Sequence, residues 1–394
     1  MQAVKFKTTT GYKLIFIVIT IVMSLRCVGK ELVTSLTTAL AFSYEYGFYD
    51  KSLVGSMYKL IAGFFTDDVY SYNVAFIFSA ILMLLGIIIY IIMGNVLLGK
   101  ADEARREAVF IILIFFTIFA ASIITAEDYI GSAQSFLLIT LLIYIYCLIV
   151  NKVSALLFVI PIIAMVTDSD FALEYMSIII VLLLYRIYTS TNKTKYKAIL
   201  FVNLISTILL YIYFIISHTA LYEDVIRTRA KALSSEYEVK EGLLKYYMYG
   251  FAGGMDSMPE PIICIQRIVY MILLLIPFIV FFVIMYRRVW KATISSSNRL
   301  FYRILPFGSI LVIPLFIYSN NYGTWFFAML SYYVLTTLAL ILMGDEHVYT
   351  AFNGIINTIK TKYKWLIILL IYAVFFTPID SVKVGQFVNN FVIR

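Results

Sequence analysis

The chain has 394 residues, of which 62% are hydrophobic and only 14% are charged, and its mean hydropathy is +0.93. A soluble domain carries about 45–50% apolar and about 25% charged residues, so this composition excludes an ordinary soluble protein. The apolar residues form separate runs of roughly 15–20, which is enough to cross a hydrocarbon layer about 30 Å thick. Strand-like alternation is absent, which argues against a transmembrane barrel. The sequence predicts an all-α polytopic integral membrane protein with a single membrane domain over residues 1–394.

Eleven membrane spans are predicted in chain order. The first follows Lys5, Lys7 and Lys13, and we interpret it as an uncleaved membrane helix because no small-residue cleavage site comes after it. The spans cover residues 12–29, 73–94, 108–125, 135–150, 153–166, 170–185, 198–218, 263–285, 302–319, 325–343 and 365–378.

The distribution of charge predicts the orientation. With a cytoplasmic N-terminus, the inner segments hold 19 of the 31 cations and five carboxylates, a net charge of +14. The remaining 12 cations and 18 carboxylates give the outer side a net charge of −6 and place the C-terminus outside. This imbalance follows the positive-inside rule and predicts a multi-pass protein of the plasma membrane. The basic surface then faces anionic lipid headgroups, and nucleic acid is not an expected partner.

Two outer segments are long, residues 30–72 and 219–262, and any chemistry is expected there. In the first, the stretch 51–64 has apolar residues at helical spacing, which predicts an amphipathic helix on the outer bilayer surface. In the second, residues 236–249 predict another helix, with glycines at 250, 253 and 254 and prolines at 259 and 261 expected to break it before the next span.

Carboxylates are concentrated in the predicted outer loops, which a helix bundle can bring around one cavity. A carboxylate that faces such a cavity can act as a general base toward a sugar hydroxyl. The alternative is that loop acids are simply solvated. The candidate catalytic residues are Glu174, Asp170, Glu45, Asp50 and Glu127; further outer acids are Asp67, Asp68, Asp128, Asp168, Glu223, Asp224 and Asp256.

Glu174 stands out among these acids. It follows Asp170 by one helical turn at the start of the sixth predicted span, so it would lie within the outer membrane layer, where ionisable groups usually face a cavity. The structural alternative is that Asp168 or Ser169 caps that helix, with acids favoured by its N-terminal dipole. Capping explains Asp168 well and Glu174 poorly. Glu45 and Asp50 flank an aromatic stretch suited to stacking on sugar rings.

Arg227, Arg229 and Lys231 form a cationic group on the predicted outer side, where cations are otherwise scarce. Guanidinium groups bind diphosphates in bidentate fashion, so these three residues, together with Lys51, are the candidate substrate-binding residues. The alternative is ion pairing with Glu223 and Asp224 along a helix.

Several chemistries are not indicated by the sequence. Only two histidines are present, which disfavours His-based acyl transfer and zinc-dependent proteolysis, and the three cysteines have no metal-binding spacing. Neither a phosphate-binding loop nor a dinucleotide fingerprint occurs. We therefore expect no cofactor and no metal site, and an activated sugar would have to be lipid-linked.

The chain resembles Wzy-type polysaccharide repeat-unit polymerases and, more broadly, the GT-C membrane glycosyltransferases. The likeness lies in about eleven spans, a long acidic outer loop after the first span, and a second long outer loop that contains arginines. Residues 47–56 also resemble a G-F-x-x-[KR]-x-L-[IV]-G-[ST] segment found after the first span in uncharacterised envelope proteins. Those proteins place a His-Glu pair where this chain has Asp168 to Phe171, and an acidic residue and an Arg around the glycine that is Gly323 here.

The predicted function is glycosyl transfer or repeat-unit polymerisation on polyprenyl-phosphate-linked sugars at the outer face, in the assembly of a capsule or O-antigen. An outer carboxylate would deprotonate the acceptor, and Arg227 and Arg229 would hold the departing diphosphate. Other envelope assembly proteins are the expected protein partners. The alternatives are a transporter or flippase for lipid-linked glycans, which usually has shorter loops and charges within its spans, and a noncatalytic assembly protein.

Overall fold

The computed structural model describes residues 2–125, 130, 132, 134–150, 155–217, 222–235, 239, 241–256, 260–296, 298–318 and 322–361. Within these ranges the chain is helical, and the only β-type pairing is an isolated bridge between Leu32 and Ile130. The α-helices are α1 Gln2–Cys27, α2 Thr34–Ala41, α3 Ser52–Gly63, α4 Tyr72–Lys100, α5 Arg106–Thr125, α6 Gln134–Ile149, α7 Leu156–Thr167, α8 Phe171–Glu174, α9 Met176–Thr189, α10 Lys193–Ile216, α11 Glu223–Leu233, α12 Glu241–Asp256, α13 Pro261–Ala292, α14 Arg299–Ile304, α15 Leu315–Tyr318, α16 Tyr322–Leu342 and α17 Glu346–Lys360; short 3₁₀ helices cover Tyr44–Tyr46 and Leu305–Val312.

Six helical segments of the described chain are long and apolar enough to cross a membrane, and a seventh is α13 if its two halves count as one bent span. The six are Thr9–Cys27, Tyr72–Lys100, Arg106–Thr125, Lys193–Ile216, Arg299–Ile317 and Tyr322–Leu342. The prediction of a helical, membrane-embedded protein is therefore confirmed.

The predicted fourth, fifth and sixth spans are shorter apolar helices, α6, α7 and α9, of 16, 12 and 14 residues. The sixth is also interrupted, because Tyr175 leaves the helical conformation between α8 and α9. The eleventh predicted span, 365–378, lies outside the described residues. The count of eleven and the orientation in the membrane stay predictions.

Helices α5 and α16 are buried along most of their length and form the centre of the bundle. Helix α1 packs on α4 and α5, α10 packs on α7 and α9, and α13 packs on α16 and α17. The peripheral helices α1, α4 and α10 expose rows of Leu, Ile and Val side chains. In a polytopic protein such a surface is expected to contact lipid, because water offers no favourable environment for it.

A second, smaller core lies beside the bundle and joins α2, α3, α11 and α12 to α4. The amphipathic helix predicted at 51–64 is present as α3, whose exposed edge includes Met57, Leu60 and Phe64. The predicted break at the glycines of α12 is wrong: the helix continues to Asp256. A helical glycine costs only about 1 kcal/mol relative to alanine, which packing can outweigh. Pro261 likewise starts α13, because the first helical position needs no N–H donor.

Gly55 allows α2 and α3 to approach each other closely. A Cβ atom built on Gly55 would lie 1.7 Å from the carbonyl oxygen of Phe42 and 2.7 Å from that of Ala39. Both obstacles are backbone atoms, which cannot rotate away. The fixed position of α3, and hence of the residues just before it, depends on this contact.

We therefore expect Gly55→Ala to lower the thermal unfolding midpoint of the purified protein markedly, since overpacking in a well-packed contact typically costs about 1–3 kcal/mol. Gly63→Ala in the same helix is the matched control, because its nearest neighbour would be Val69 Cγ2 at 4.0 Å. Equal midpoints for the two variants would contradict the assigned role of Gly55.

Candidate functional site

Lys51 lies at the start of α3 with its side chain almost completely buried. Its backbone has φ 62°, and it is the one non-glycine residue with positive φ in the described chain. This left-handed conformation is uncommon outside glycine, and strained residues of this kind concentrate at functional sites. Because α3 packs on α7, the start of α3 faces the end of α7. The Lys51 ammonium thereby meets the turn that follows α7.

Three aspartates surround this ammonium group. Lys51 Nζ is 2.5 Å from Asp168 Oδ1, 3.3 Å from Asp50 Oδ2 and 3.5 Å from Asp170 Oδ2. The side chains of Asp168 and Asp170 are 8% and 6% exposed, whereas that of Asp50 is 20% exposed. These four residues are the Lys51 cluster. Asp50 is its most accessible carboxylate.

The turn between α7 and α8, residues 168–170, is held in place by side-chain hydrogen bonds. Ser169 donates from its backbone N–H to Asp50 Oδ1 at 2.8 Å and from its hydroxyl to Asp50 Oδ2 at 2.7 Å. The backbone N–H of Asp170 donates to Asp168 Oδ1 at 3.0 Å. Asp168 therefore serves partly as the local turn acceptor that the capping alternative anticipated. It also reaches Lys51, a role that capping does not explain.

Helix α12 covers the Lys51 cluster with two tyrosines. The Tyr246 hydroxyl donates to Asp170 Oδ2, and the Tyr246 and Tyr247 ring centroids lie 5.2 and 5.3 Å from Lys51 Nζ. The Tyr247 hydroxyl donates to the carbonyl of Ser35 in α2 at 3.2 Å. Cations are attracted to aromatic faces at this range, so the tyrosines stabilise the buried charge while excluding water.

Glu174 lies at the end of α8 and is fully buried. Gln134 in α6 donates to its Oε1 at 3.3 Å, while Oε2 has no hydrogen-bond partner within the described part of the protein. An ionisable group buried with so few polar partners is costly, which fits the cavity-facing role that its sequence position suggested.

The carboxylates of the Lys51 cluster outnumber its cation, and this excess changes their protonation. Burial raises the pKa of Asp168, Lys51 opposes that rise, and Asp170 and Asp50 add to it, which brings the pKa to about 7. For Lys51, burial acts to lower the pKa, but the attraction of Asp168, Asp170 and Asp50 outweighs it and raises the pKa above its ordinary value. The ammonium stays charged, and near neutral pH the proton of Asp168 is exchangeable.

Glu45 belongs to a separate, more exposed group with Lys59 and Arg229. Glu45 Oε2 lies 2.5 Å from Lys59 Nζ and 3.3 Å from Arg229 Nη2. The Arg229 guanidinium stacks over the rings of Tyr46 and Tyr70 at 4.8 and 4.3 Å. We call Glu45, Lys59 and Arg229 the Glu45 patch; its formal charge is +1, and Arg229 Nη1 has no hydrogen-bond partner in the described chain.

An open cleft of 490 Å³ lies beside the Glu45 patch. It is lined by Tyr44, Glu45 and Lys59 and by the apolar side chains of Leu60 and Phe64. Burial, and then the charge of Asp50, raise the pKa of Tyr44 to about 12. We call this space the outer cleft.

The remaining sequence candidates lie elsewhere. Arg227 pairs with Glu223 at 2.6 Å and also with Glu241, as the ion-pairing alternative predicted, and Lys231 is exposed. Glu127 lies outside the described residues. In the described chain, no three His, Cys, Asp or Glu side chains are arranged to hold a metal ion.

The structure thus brings four predicted residues, Asp50, Lys51, Asp170 and Glu174, into one neighbourhood and assigns Glu45 and Arg229 to another. Sequence reasoning missed the contributions of Lys59, Gln134 and the tyrosine pair of α12. The Tyr-Tyr pair was visible inside a predicted helix, but no sequence signal indicated which face it would present to α3.

No family model, curated protein or solved structure matches this chain. The candidate site is therefore interpreted from its geometry and chemistry alone.

Removing the Lys51 charge should destabilise the protein strongly, because the clustered carboxylates would lose their cation. Breaking a buried ion pair by deleting one partner costs about 3–5 kcal/mol, so Lys51→Met should sharply lower the unfolding midpoint. Lys51→Met combined with Asp168→Asn should recover part of the loss, since one buried charge is removed as well. A double variant no more stable than the single one would rule out charge imbalance as the cause.

Stability should also depend on pH through Asp168. Its pKa is 3.8 when solvated and about 7 when folded, so between these values the folded state binds a proton that the unfolded chain does not. The contribution of Asp168 to the free energy of unfolding is therefore fully present below about pH 4 and is lost as the pH rises to about 7. The lowered pKa of Glu45 acts in the opposite direction, below its ordinary value of 4.5.

The unfolding midpoint of the wild type should accordingly fall between about pH 4 and about pH 7, and Asp168→Asn should reduce that slope. The control is Asp67→Asn, an exposed acid near the end of α3. A slope identical in all three proteins would exclude Asp168 as the titrating group.

Proposed function

We propose that the protein is a membrane glycosyltransferase or repeat-unit polymerase that joins polyprenyl-phosphate-linked sugars at the outer face of the plasma membrane in surface-polysaccharide assembly. The observation that carries this proposal is the outer cleft, which is lined by Glu45 and Lys59 of a cationic patch and by Tyr44, on a stretch of chain that leads directly to Asp50 and Lys51 of the carboxylate-rich cluster. Glycosyl transfer needs these two functions, a base for the acceptor hydroxyl and a cation for the diphosphate leaving group.

The dimensions and lining of the outer cleft suit a sugar attached to a lipid. Its volume of 490 Å³ falls within the range of about 300–1,000 Å³ that is typical of ligand pockets. Tyr44 offers an aromatic ring, and Lys59 offers a hydrogen-bond donor. Leu60 and Phe64 are exposed at its margin and would accompany the lipid portion into the bilayer.

Asp50 is the carboxylate best placed to act as the base. It is the most exposed acid of the Lys51 cluster, and it lies near Tyr44 at the cleft. Ser169 donates hydrogen bonds to both of its oxygens, and Lys51 Nζ lies 3.3 Å from its Oδ2. In the proposed step Asp50 takes the acceptor proton, the acceptor oxygen bonds to the anomeric carbon, and the bond from that carbon to the diphosphate breaks, so that its electron pair leaves with the polyprenyl diphosphate.

Arg229 and Lys59 would bind the departing diphosphate. The stacking of Arg229 between two tyrosine rings fixes its planar guanidinium, and its Nη1 is not hydrogen-bonded within the described chain. Both cations now contact Glu45, which a diphosphate would displace as the stronger anion. Arg227 is engaged by two glutamates on a more exposed surface and is not included in this site.

A second candidate function is proton-coupled transport of the same glycolipids, favoured by the deep burial of the acids around Lys51. Asp168 has a pKa of about 7, and Glu174 is fully buried. The segment 168–175, which carries both acids, joins α7 and α9, whose 12 and 14 residues reach only about 18 and 21 Å at 1.5 Å per residue. Acids beside interrupted helices are a feature of secondary transporters.

The test compares surface glycans from cells whose native copy is replaced by each variant at matched expression. Asp50→Asn should shorten or abolish the polymer, since loss of a general base typically lowers rates by about 10²–10⁴-fold. Arg229→Gln should do the same, and Arg229→Lys should restore little, because lysine lacks the planar fork. Asp67→Asn and Lys245→Gln, which alter exposed charges away from the cleft, are the controls.

The two candidate functions are separated by reconstituting the protein in liposomes with a fluorescent lipid-linked oligosaccharide. Extension of the glycan in the wild type but not in Asp50→Asn would support glycosyl transfer. Movement of the glycolipid between leaflets without extension, driven by a pH gradient and lost in Glu174→Gln, would replace it with transport.

A further inference from the structure

A large apolar groove lies in the later part of the bundle, between α13, the 3₁₀ helix Leu305–Val312 and α16. Its volume is 720 Å³, and its walls include Phe278, Phe282, Phe307 and Tyr333. The groove extends along α13 from Leu275 to Trp290, a distance of about 22 Å at 1.5 Å per residue. This length exceeds the depth of one membrane leaflet, which is about half of a 30 Å core.

Irregular backbone geometry in two of its walls produces the groove. Helix α13 bends by 59° between Leu273 and Leu275. Pro277 accounts for the bend, because its ring clashes with the carbonyl of Leu273 four residues earlier. Pro306 starts the facing 3₁₀ helix, whose geometry is tighter than that of an α-helix. The later half of α13 and the 3₁₀ helix therefore diverge, whereas two straight helices would pack against each other.

A basic cleft of 440 Å³ adjoins one end of this groove and shares Trp290 and Phe307 with it. Lys291, Arg299 and Arg303 line the basic cleft, and Arg287 lies at the groove itself. Trp290 is fixed at the junction by a hydrogen bond of 2.6 Å from its Nε1 to the carbonyl of Tyr302. Tryptophan is the residue preferred at the boundary between hydrocarbon and headgroups.

The four cations of the groove and the basic cleft, Arg287, Lys291, Arg299 and Arg303, form no salt bridge within the described part of the chain. Other cations on the same predicted cytoplasmic side are paired: Arg105 contacts Asp102 and Glu346, and Lys360 contacts Glu107. The nearby carboxylate of Asp345 is already engaged, since it accepts hydrogen bonds from Tyr302 at 2.7 Å and from the Val348 N–H at 2.9 Å. The basic cleft therefore offers positive charge that the described chain does not neutralise.

We propose that this composite site binds one anionic phospholipid, with its phosphate in the basic cleft and an acyl chain in the apolar groove. A continuous apolar channel that ends in several cations matches a molecule with an apolar chain and a phosphate head. Basic pockets between helices on the cytoplasmic side are suited to such headgroups. The site lies at the opposite end of α13 from α12 and the Lys51 cluster, so it is independent of the proposed catalytic function.

The experiment uses the purified, delipidated full-length protein and measures bound lipid by native mass spectrometry. Phosphatidylglycerol should bind in a one-to-one ratio, and phosphatidylcholine with the same chains should bind at least tenfold more weakly. Arg299→Gln with Arg303→Gln should weaken phosphatidylglycerol binding by about tenfold or more, since each cation contributes favourably near an anionic headgroup. Val283→Trp, which fills the groove, should weaken it to a similar degree.

Matched controls separate this site from general basic or apolar surfaces. Lys193→Gln with Lys195→Gln removes two exposed cations of α10, and Ile272→Trp enlarges an exposed residue of α13 before the groove begins; both should bind lipid as the wild type does. Unchanged thermal unfolding would show that the groove variants still fold. If Val283→Trp does not fold, Val283→Phe, a smaller enlargement at the same position, is the substitute.

Three results would overturn the proposal. Equal binding of phosphatidylcholine would remove the role of charge. If inorganic phosphate displaces phosphatidylglycerol and Val283→Trp does not weaken its binding, the site recognises only the phosphate group and the groove holds no acyl chain. A disulfide cross-link formed efficiently between Cys at Val283 and Cys within residues 365–378 would identify the occupant as a later segment of the chain itself.

Discussion

The burial of the Lys51 ammonium among three aspartates is the interaction on which the arrangement of α3, α7 and α12 depends. A charge with so little solvent exposure is tolerated only when opposite charges and hydrogen bonds replace water. The chain supplies these from three distant regions, because Lys51 pairs with Asp168 across 117 positions and Tyr246 bonds Asp170 across 76. The same pairing keeps Lys51 in a left-handed backbone conformation that would otherwise be unfavourable.

An excess of carboxylates over cations gives this cluster its chemical character. Burial and the neighbouring carboxylates raise the pKa of Asp168 to about 7, so this group still holds a proton part of the time at neutral pH. The Glu45 patch has the reverse balance, with two cations for one glutamate. The two groups together provide both polarities that transfer of a sugar from a diphosphate requires.

In the rest of the bundle, the central helices differ from the peripheral helices in their burial. Helices α5 and α16 are surrounded by protein, whereas α1, α4 and α10 expose aliphatic rows. Proline interrupts the regular packing in α13 and in the 3₁₀ helix, and there the bundle opens a groove where elsewhere it is closed. Polar and apolar features are thus combined twice, once around the outer cleft and once around Trp290, with different residues and at different ends of α13.

The sequence by itself determined the helical membrane architecture and most helix positions, since apolar run length and helical periodicity are local properties. It also singled out Asp50, Lys51, Asp170 and Glu174, because charges beside apolar runs are costly and therefore conspicuous. Which of these residues meet was decided only by tertiary structure: the contact at Gly55 fixes α3 on α2, and α3 also packs on α7, and no local pattern encodes either contact. The ion pairs of Arg227 and Arg229 were also decided by tertiary structure: the two residues are two positions apart in sequence, but they pair with different glutamates because residues two positions apart on a helix face different directions.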